Sequence, residues 1–140
     1  MRIRSAAVVI GNDRLLVIDR HKDGRHYCVL PGGGVEDGED LRQTCRRELF
    51  EETGLEGTVD DLIDVPIDHD VPVAYFAVRV GREAVTLGGP ERDRASATNR
   101  YEPRWVAVDA LATIPLVPET ARRAVELAVE LASTTQKDAP

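Results

Sequence analysis

The segment from Gly32 to Leu55, GGGVEDGEDLRQTCRRELFEETGL, constrains this chain more than any other. It places seven carboxylates (Glu36, Asp37, Glu39, Asp40, Glu48, Glu51 and Glu52) between glycines at both ends. Leu41, Cys45 and Leu49 recur every four residues, which predicts a helix over Glu39 to Gly54. Asp37 or Glu39 suits its N-terminal end, and Gly54 its C-terminal cap. With Leu41 at zero, Cys45 and Leu49 fall at about 40° and 80°, Glu48 and Glu52 at about 340° and 20°, and Glu51 at about 280°. The glutamates therefore overlap one edge of the apolar stripe. A Glu/Arg-rich helix ordinarily turns such residues to solvent and pairs them at i,i+4. Here three mutually repelling carboxylates would stand half out of water, which is costly unless they are neutralised. Divalent cations do this, and an all-oxygen donor set suits Mg²⁺ or Mn²⁺.

The glycines on the N-terminal side fit the same picture. Pro31 to Gly34 (PGGG) lets backbone approach closely without a Cβ. Its carbonyls could add a ligand and its amides could meet a phosphate. Read alone, the same four residues describe a plain tight turn.

Together these residues resemble the Nudix box: Gly33, Glu39, Arg47, Glu48, Leu49, Glu51, Glu52, Gly54 and Leu55 occupy its defining positions, and none is missing. Seven fixed identities at roughly one in fifteen each would coincide with a chance of about 10⁻⁸ per starting position. The order of strands and helices outside the box is similar as well. The resemblance implies an α/β architecture in which a mixed β-sheet is sandwiched between α-helices, an α/β/α sandwich. It implies metal-dependent hydrolysis of a nucleoside diphosphate linked to another group, by attack of water at phosphorus. Glu48, Glu51 and Glu52 would then hold Mg²⁺, with Mn²⁺ as a substitute and the Gly32 carbonyl as a further ligand. Gly33, Glu39, Arg47 and Gly54 would be structural, with Arg47 holding a glutamate in place and Glu39 bracing loop and helix. The general base would be Glu48 or an acidic residue of a later loop, Glu91 or Glu102. Two other readings stand beside this one. A Nudix domain without catalysis could bind a nucleotide as a sensor or partner module, and a structural metal-binding protein would account for the carboxylates alone.

Leu87 to Trp105 is the other informative stretch, and long loops are often functional. Arg92, Arg94 and Arg100 are candidates for binding substrate phosphate, and Tyr101 for stacking on a base; the ordinary alternative for each is a solvated side chain. Trp105 reads as core packing. No subfamily signature is clear. Pro72, seventeen residues beyond Leu55, lies near but off the position that marks ADP-ribose enzymes of the family. Tyr75, twenty residues beyond, matches the diadenosine-polyphosphate mark less well. The substrate is therefore expected to be a nucleotide-type diphosphate, with a nucleoside triphosphate or a nucleotide sugar as examples.

The remainder of the chain reads as one domain over residues 1–140, with an ordered core over about 2–133. A strand over Ile3 to Ile10, a turn at Gly11 to Asp13 and a strand over Arg14 to Arg20 form an expected hairpin. A polar loop over His21 to His26 and a short strand over Tyr27 to Pro31 follow. One or two strands are expected over Gly57 to Asp68, a stronger one over Val71 to Val80, and mostly loop over Gly81 to Arg100. A strand over Pro103 to Asp109 precedes a helix over Pro118 to Ala132, and the tail beyond is expected to fray. His21, His26 and His69 form no metal-ligand spacing and read as surface histidines. Cys28 and Cys45 form no CxxC pair and read as reduced core residues. The net charge of −7 disfavours polymeric nucleic acid and anionic membranes as partners. No apolar run reaches membrane-spanning length and no leader pattern opens the chain, so a cytoplasmic protein is expected. The resemblance leaves room for a homodimer.

Overall fold

The computed structural model describes residues 2–81 and 99–138. Its first strand, β1 (Arg4–Gly11), is apolar on both faces, and Ala6 to Val9 are all buried. A strand of that composition must be covered on both sides, and β1 is the seam between two cores. Ala6 and Val8 face one cluster with Tyr75, Val125 and Leu116. Ala7 and Val9 face another with Cys45, Leu49, Phe76 and Val78.

Asn12 and Asp13, both at positive φ (52° and 59°), turn the chain into β2 (Arg14–Lys22). The two strands pair only next to this turn, at Ile10–Leu15 and Gly11–Arg14. Beyond it they part into different sheets. In the mixed sheet, β1 runs parallel to β6 (Val73–Val80) and antiparallel to β4 (Gly32–Gly34), and β6 pairs antiparallel with β5 (Gly57–Leu62). In the other, β2 lies between β3 (Arg25–Val29) and β7 (Asn99–Ala107), all antiparallel. Helix α1 (Leu41–Thr53) covers one core and α2 (Glu119–Asp138) the other. A 3-10 turn over Val108–Thr113 leads from β7 toward α2. The expected mixed sheet between helices is what the chain forms.

Four expectations need correction. His21 to His26 is no loop: β2 and β3 are joined by the two-residue turn Asp23–Gly24, both at positive φ (50° and 79°). Asp-Gly is favoured in that role because both residues tolerate the left-handed region. β7 starts at Asn99 rather than Pro103 and ends at Ala107, within the stretch expected to be loop. The Asp-rich run after Leu62 is not strand, although Ile63 stays buried and donates its N–H to Tyr75. Helix α2 continues to Asp138, because no glycine or proline interrupts it after Ala132.

The start of α1 also differs in detail. Asp40, rather than Asp37 or Glu39, is the N-cap: its side chain accepts from the Gln43 N–H at 2.8 Å. Gln43 accepts from the Asp40 N–H at 2.8 Å in return, closing a capping box. Gly54 ends the helix at φ 77°, as expected. The fully buried Ser5 hydroxyl donates to the Leu41 carbonyl at 2.8 Å and fastens α1 to β1. Cys28 and Cys45 are free and buried, and burial pushes their thiols up to about 11 and about 12. Trp105 packs against the α1-side core.

The capping box gives a direct test. Asp40→Ala should cost about 1 kcal/mol of stability, read as a lowered urea midpoint with an unchanged slope. A midpoint that stays put would show that the box contributes nothing to α1.

Candidate active site

Helix α1 sets its acidic residues by i,i+4 geometry, and the β4 strand passes directly beneath them. Arg47 organises the cluster. Its Nε and Nη2 grip Glu39 at 2.6 and 3.0 Å, in the two-point geometry that suits guanidinium and carboxylate. Its Nη1 donates to Glu48 at 2.9 Å and to Glu51 at 3.1 Å, and Nη2 also reaches the Gly34 carbonyl at 3.3 Å. Glu39 in turn accepts from the Thr44 hydroxyl at 2.9 Å and the Glu36 N–H at 3.1 Å. Arg47 above all, with these further donors, holds the Glu39 carboxyl down to about 2. Arg47 itself is held more firmly protonated than usual, first by Glu39 and then by Glu48. Arg47 and Glu39 thus tie the helix to the loop before it.

Glu48 and Glu52 are half-buried, whereas Glu51 keeps 53 % of its side chain exposed. The sequence pattern placed all three along the buried edge; Glu51, furthest round the wheel, turns out to solvent. Glu52 accepts from the Gly32 N–H at 2.9 Å. Loss of hydration, reinforced by the neighbouring charge of Glu48, pushes the Glu52 carboxyl up to about 8; the Gly32 amide, Tyr101 and Arg4 act in the other direction. The glycines are required by contact. A Cβ at Gly33 would stand 2.5 Å from Glu48 Cδ and Oε1. A Cβ at Gly32 would stand 2.5 Å from the Ser5 carbonyl. Neither position has positive φ, so it is lack of space and not backbone strain that selects glycine.

The structure sorts the remaining candidates. Tyr101 projects from β7 to the Glu52 carboxyl. Its cross-strand neighbour Arg20 lies with its guanidinium 5.7 Å from the Tyr101 ring and 5.9 Å from the Tyr27 ring. The sequence gives no sign of Arg20 or Tyr27 here; the strand register brings them to Tyr101. Glu102, next in sequence to Tyr101, falls on the opposite face of β7 and pairs in register with Asp19. It is therefore not gathered with Glu48 and Glu52, which counts against it as a base. Glu91, Arg92 and Arg94 lie outside the described residues, and of Arg100 only the backbone, paired with His21, is described.

Two hollows flank the cluster. A cavity of about 120 Å³ is bordered by Arg4, Gly32, Gly33, Tyr75, Val117 and Pro118. A wider, open groove of about 1050 Å³ runs between the outer face of α1 and β5, past Arg42, Arg46 and Phe50. Glu48 and Glu52 line neither hollow; the smaller cavity reaches the cluster through Gly32 and Gly33, and the groove through Arg47.

The Glu39 brace has a pH signature. Its folded value of about 2 lies below the ordinary 4.5, so its stabilisation is complete above about 4.5 and fades as pH falls toward 2. Glu39→Gln should lower the melting temperature at pH 7 and flatten the acid limb between those values. A parallel pair of melting curves across that window would show that Glu39 is not the titrating brace.

Comparison with known proteins agrees with this geometry. The family model described as NUDIX domain matches residues 1–127. An RNA pyrophosphohydrolase of Rhodopseudomonas palustris is 36% identical over 73 residues, covering 46% of this chain and 43% of that protein. The NAD-capped RNA hydrolase NudC of Edwardsiella ictaluri is 31% identical over 137 residues, covering 89% of this chain and 46% of that protein. The chain thus spans less than half the length of these curated relatives. Among solved structures, a NUDIX hydrolase from Nitrosomonas europaea superimposes with a TM-score of 0.72 at 20% identity, over 92% of this chain and 88% of that one. Family model, fold and an unbroken box converge: the chain belongs to the Nudix family.

Proposed function

We propose that this chain is a Mg²⁺-dependent pyrophosphohydrolase. It would cleave the diphosphate linkage of a nucleoside diphosphate joined to another group, such as a nucleoside triphosphate or a nucleotide sugar. The observation that carries the reading is the meeting of Glu48 and Glu52 over Gly32 and Gly33. Two carboxylates are held half out of water, close enough that one raises the other, in a space that a single Cβ would fill. That is an arrangement suited to a bound dication. The donors are all oxygen, which favours Mg²⁺ or Mn²⁺ over softer metals. Glu48, Glu51, Glu52 and the Gly32 carbonyl would hold the metal, which when bound polarises phosphoryl oxygens and lowers the pKa of water.

The chain's own groups supply the rest. Arg47 keeps Glu48 and Glu51 aimed and offsets part of their repulsion. Glu48 is favoured as the base over Glu102, whose place on the opposite face of β7 counts against it; Glu91 lies outside the described residues. Tyr101 acts on Glu52 from the antiparallel sheet and Arg4 from the mixed sheet, so diphosphate oxygens would meet donors from both. The 120 Å³ cavity is below the roughly 300–1,000 Å³ of common small-molecule sites. It suits one ring or sugar of the substrate, with the remainder in solvent. Relatives are named for RNA ends, but a net charge of −7 disfavours long polyanions, and a small nucleotide is the substrate favoured here.

A hydrolysis screen with Mg²⁺ and with Mn²⁺ tests the reading, over nucleoside triphosphates, nucleotide sugars, ADP-ribose, dinucleoside polyphosphates and 5′-triphosphorylated RNA. One metal-dependent cleavage with identified products is expected. A folded, Mg²⁺-binding protein inert on every compound would favour a nucleotide-binding module instead.

Glu52→Gln should lower kcat by about 100-fold or more, beyond the 10–100-fold typical of groups that only orient a ligand. The same variant has a stability signature. The raised folded value of about 8 means that the contribution of Glu52 is full below about 4.5 and is lost as pH rises through 8 in metal-free protein. At pH 9 without metal the Gln variant should melt higher than the parent, and Mg²⁺ should restore the parent while leaving the variant unmoved. A Mg²⁺-induced rise of equal size in both would remove Glu52 from the metal site.

A further inference from the structure

The β2–β3 hairpin carries a second group of ligand-type side chains, on the sheet face away from Tyr101 and Glu52. His21 and His26 are directly opposed across the two strands, and their rings stack with centroids 4.3 Å apart and planes 10° from parallel. Asp19, two residues before His21 and so on the same face, reaches His26 Nε2 at 2.6 Å. One ligand atom from each of Asp19, His21 and His26 lies within 4.8 Å of the others. Both imidazoles are exposed and Asp19 is mostly covered.

We propose that Asp19, His21 and His26 form a second metal site, selective for a borderline transition-metal dication such as Zn²⁺. Two imidazoles and a carboxylate are a donor set that Zn²⁺ takes and Mg²⁺ does not favour. Three protein ligands leave a fourth position to water. The backbone is already set: the hairpin is closed by the tight Asp23–Gly24 turn, and β2 is paired on both sides. Zn–N and Zn–O bonds of about 2.1 Å in a tetrahedron put ligand atoms about 3.4 Å apart. The Asp19–His26 contact at 2.6 Å must open and the wider spacings, all within 4.8 Å, must close, both by rotation of the exposed rings. Behind it the Cys28 thiol donates to Asp19 at 3.2 Å and fixes the carboxylate from the buried side, as outer partners do at metal sites.

Arg104 is the competitor. Its Nη2 stands 3.6 Å from the same Asp19 oxygen that His26 uses, and 42% of its side chain is exposed. It can turn to solvent when a dication enters, but its charge opposes binding. Removing that charge should therefore tighten the site, an effect that nonspecific surface binding would not show.

The test is Co²⁺ absorption with Zn²⁺ competition on the full chain carrying Glu48→Gln and Glu52→Gln, in excess Mg²⁺, so that the box carboxylates do not report. One equivalent of Zn²⁺ should bind. His21→Ala and His26→Ala should each weaken it at least about ten-fold, with melting temperatures near the parent's because both rings are exposed. Should either alanine variant melt early, His21→Gln supplies the same readout. Arg104→Gln should tighten binding several-fold. No uptake by the parent, uptake unchanged in the histidine variants, or tightening absent in Arg104→Gln would each overturn the proposal.

Discussion

Everything at the acidic end of α1 depends on one guanidinium. Arg47 is only 21% exposed and hydrogen-bonds three carboxylates and a carbonyl, drawn from the helix, the loop before it and β4, with Glu36 a fourth carboxylate at 3.8 Å. Without that charge Glu39, Glu48 and Glu51 would repel one another within a few ångströms, at a surface where water screens them incompletely. A lysine would keep the charge but lose the fork, and with it the simultaneous grip on Glu39 and Glu48. The helix is also held apart from its own charges, by Ser5 to Leu41 at its start and by Arg42 to the Val59 carbonyl alongside. Position and charge compensation are thus separate devices, and the carboxylates can be crowded because neither device relies on the other.

Glu52 is treated differently. It has no such guanidinium grip; its partners are a backbone amide and a tyrosine. The result is a pair of neighbouring carboxylates, one held by a cation and the other left to lose hydration. That asymmetry lets the two carboxylates stand together without destabilising the fold, because a protonated Glu52 costs little to bury.

The box was legible in the sequence because its information is local. Helix period, caps and paired charges all lie within two dozen residues, and α1, Gly54 and the Arg47–Glu39 brace followed from spacing or from the family pattern. The cap itself was not legible, because Asp37, Glu39 and Asp40 are chemically alike and only the Asp40–Gln43 reciprocity separates them. Strand-borne features were less legible because they depend on register. Asp19 and His21 are visibly two apart, yet His26 joins them only through pairing across a turn that had been read as a loop. Tyr101 and Glu102 look equally available in sequence, and the alternation of β7 sends one to Glu52 and the other to Asp19.

The placement of Tyr101 has a consequence for how such a protein diversifies. β7 begins at Asn99, two residues ahead of the side chain that meets Glu52. Tyr101 is set beside Glu52 by a nine-residue ladder with β2, not by contacts made within α1. A change in that ladder would move Tyr101 relative to Glu52 while leaving the Arg47 cluster untouched. The groups that meet at Glu52 therefore come from separate stretches of chain, and one stretch can change while the other stands still.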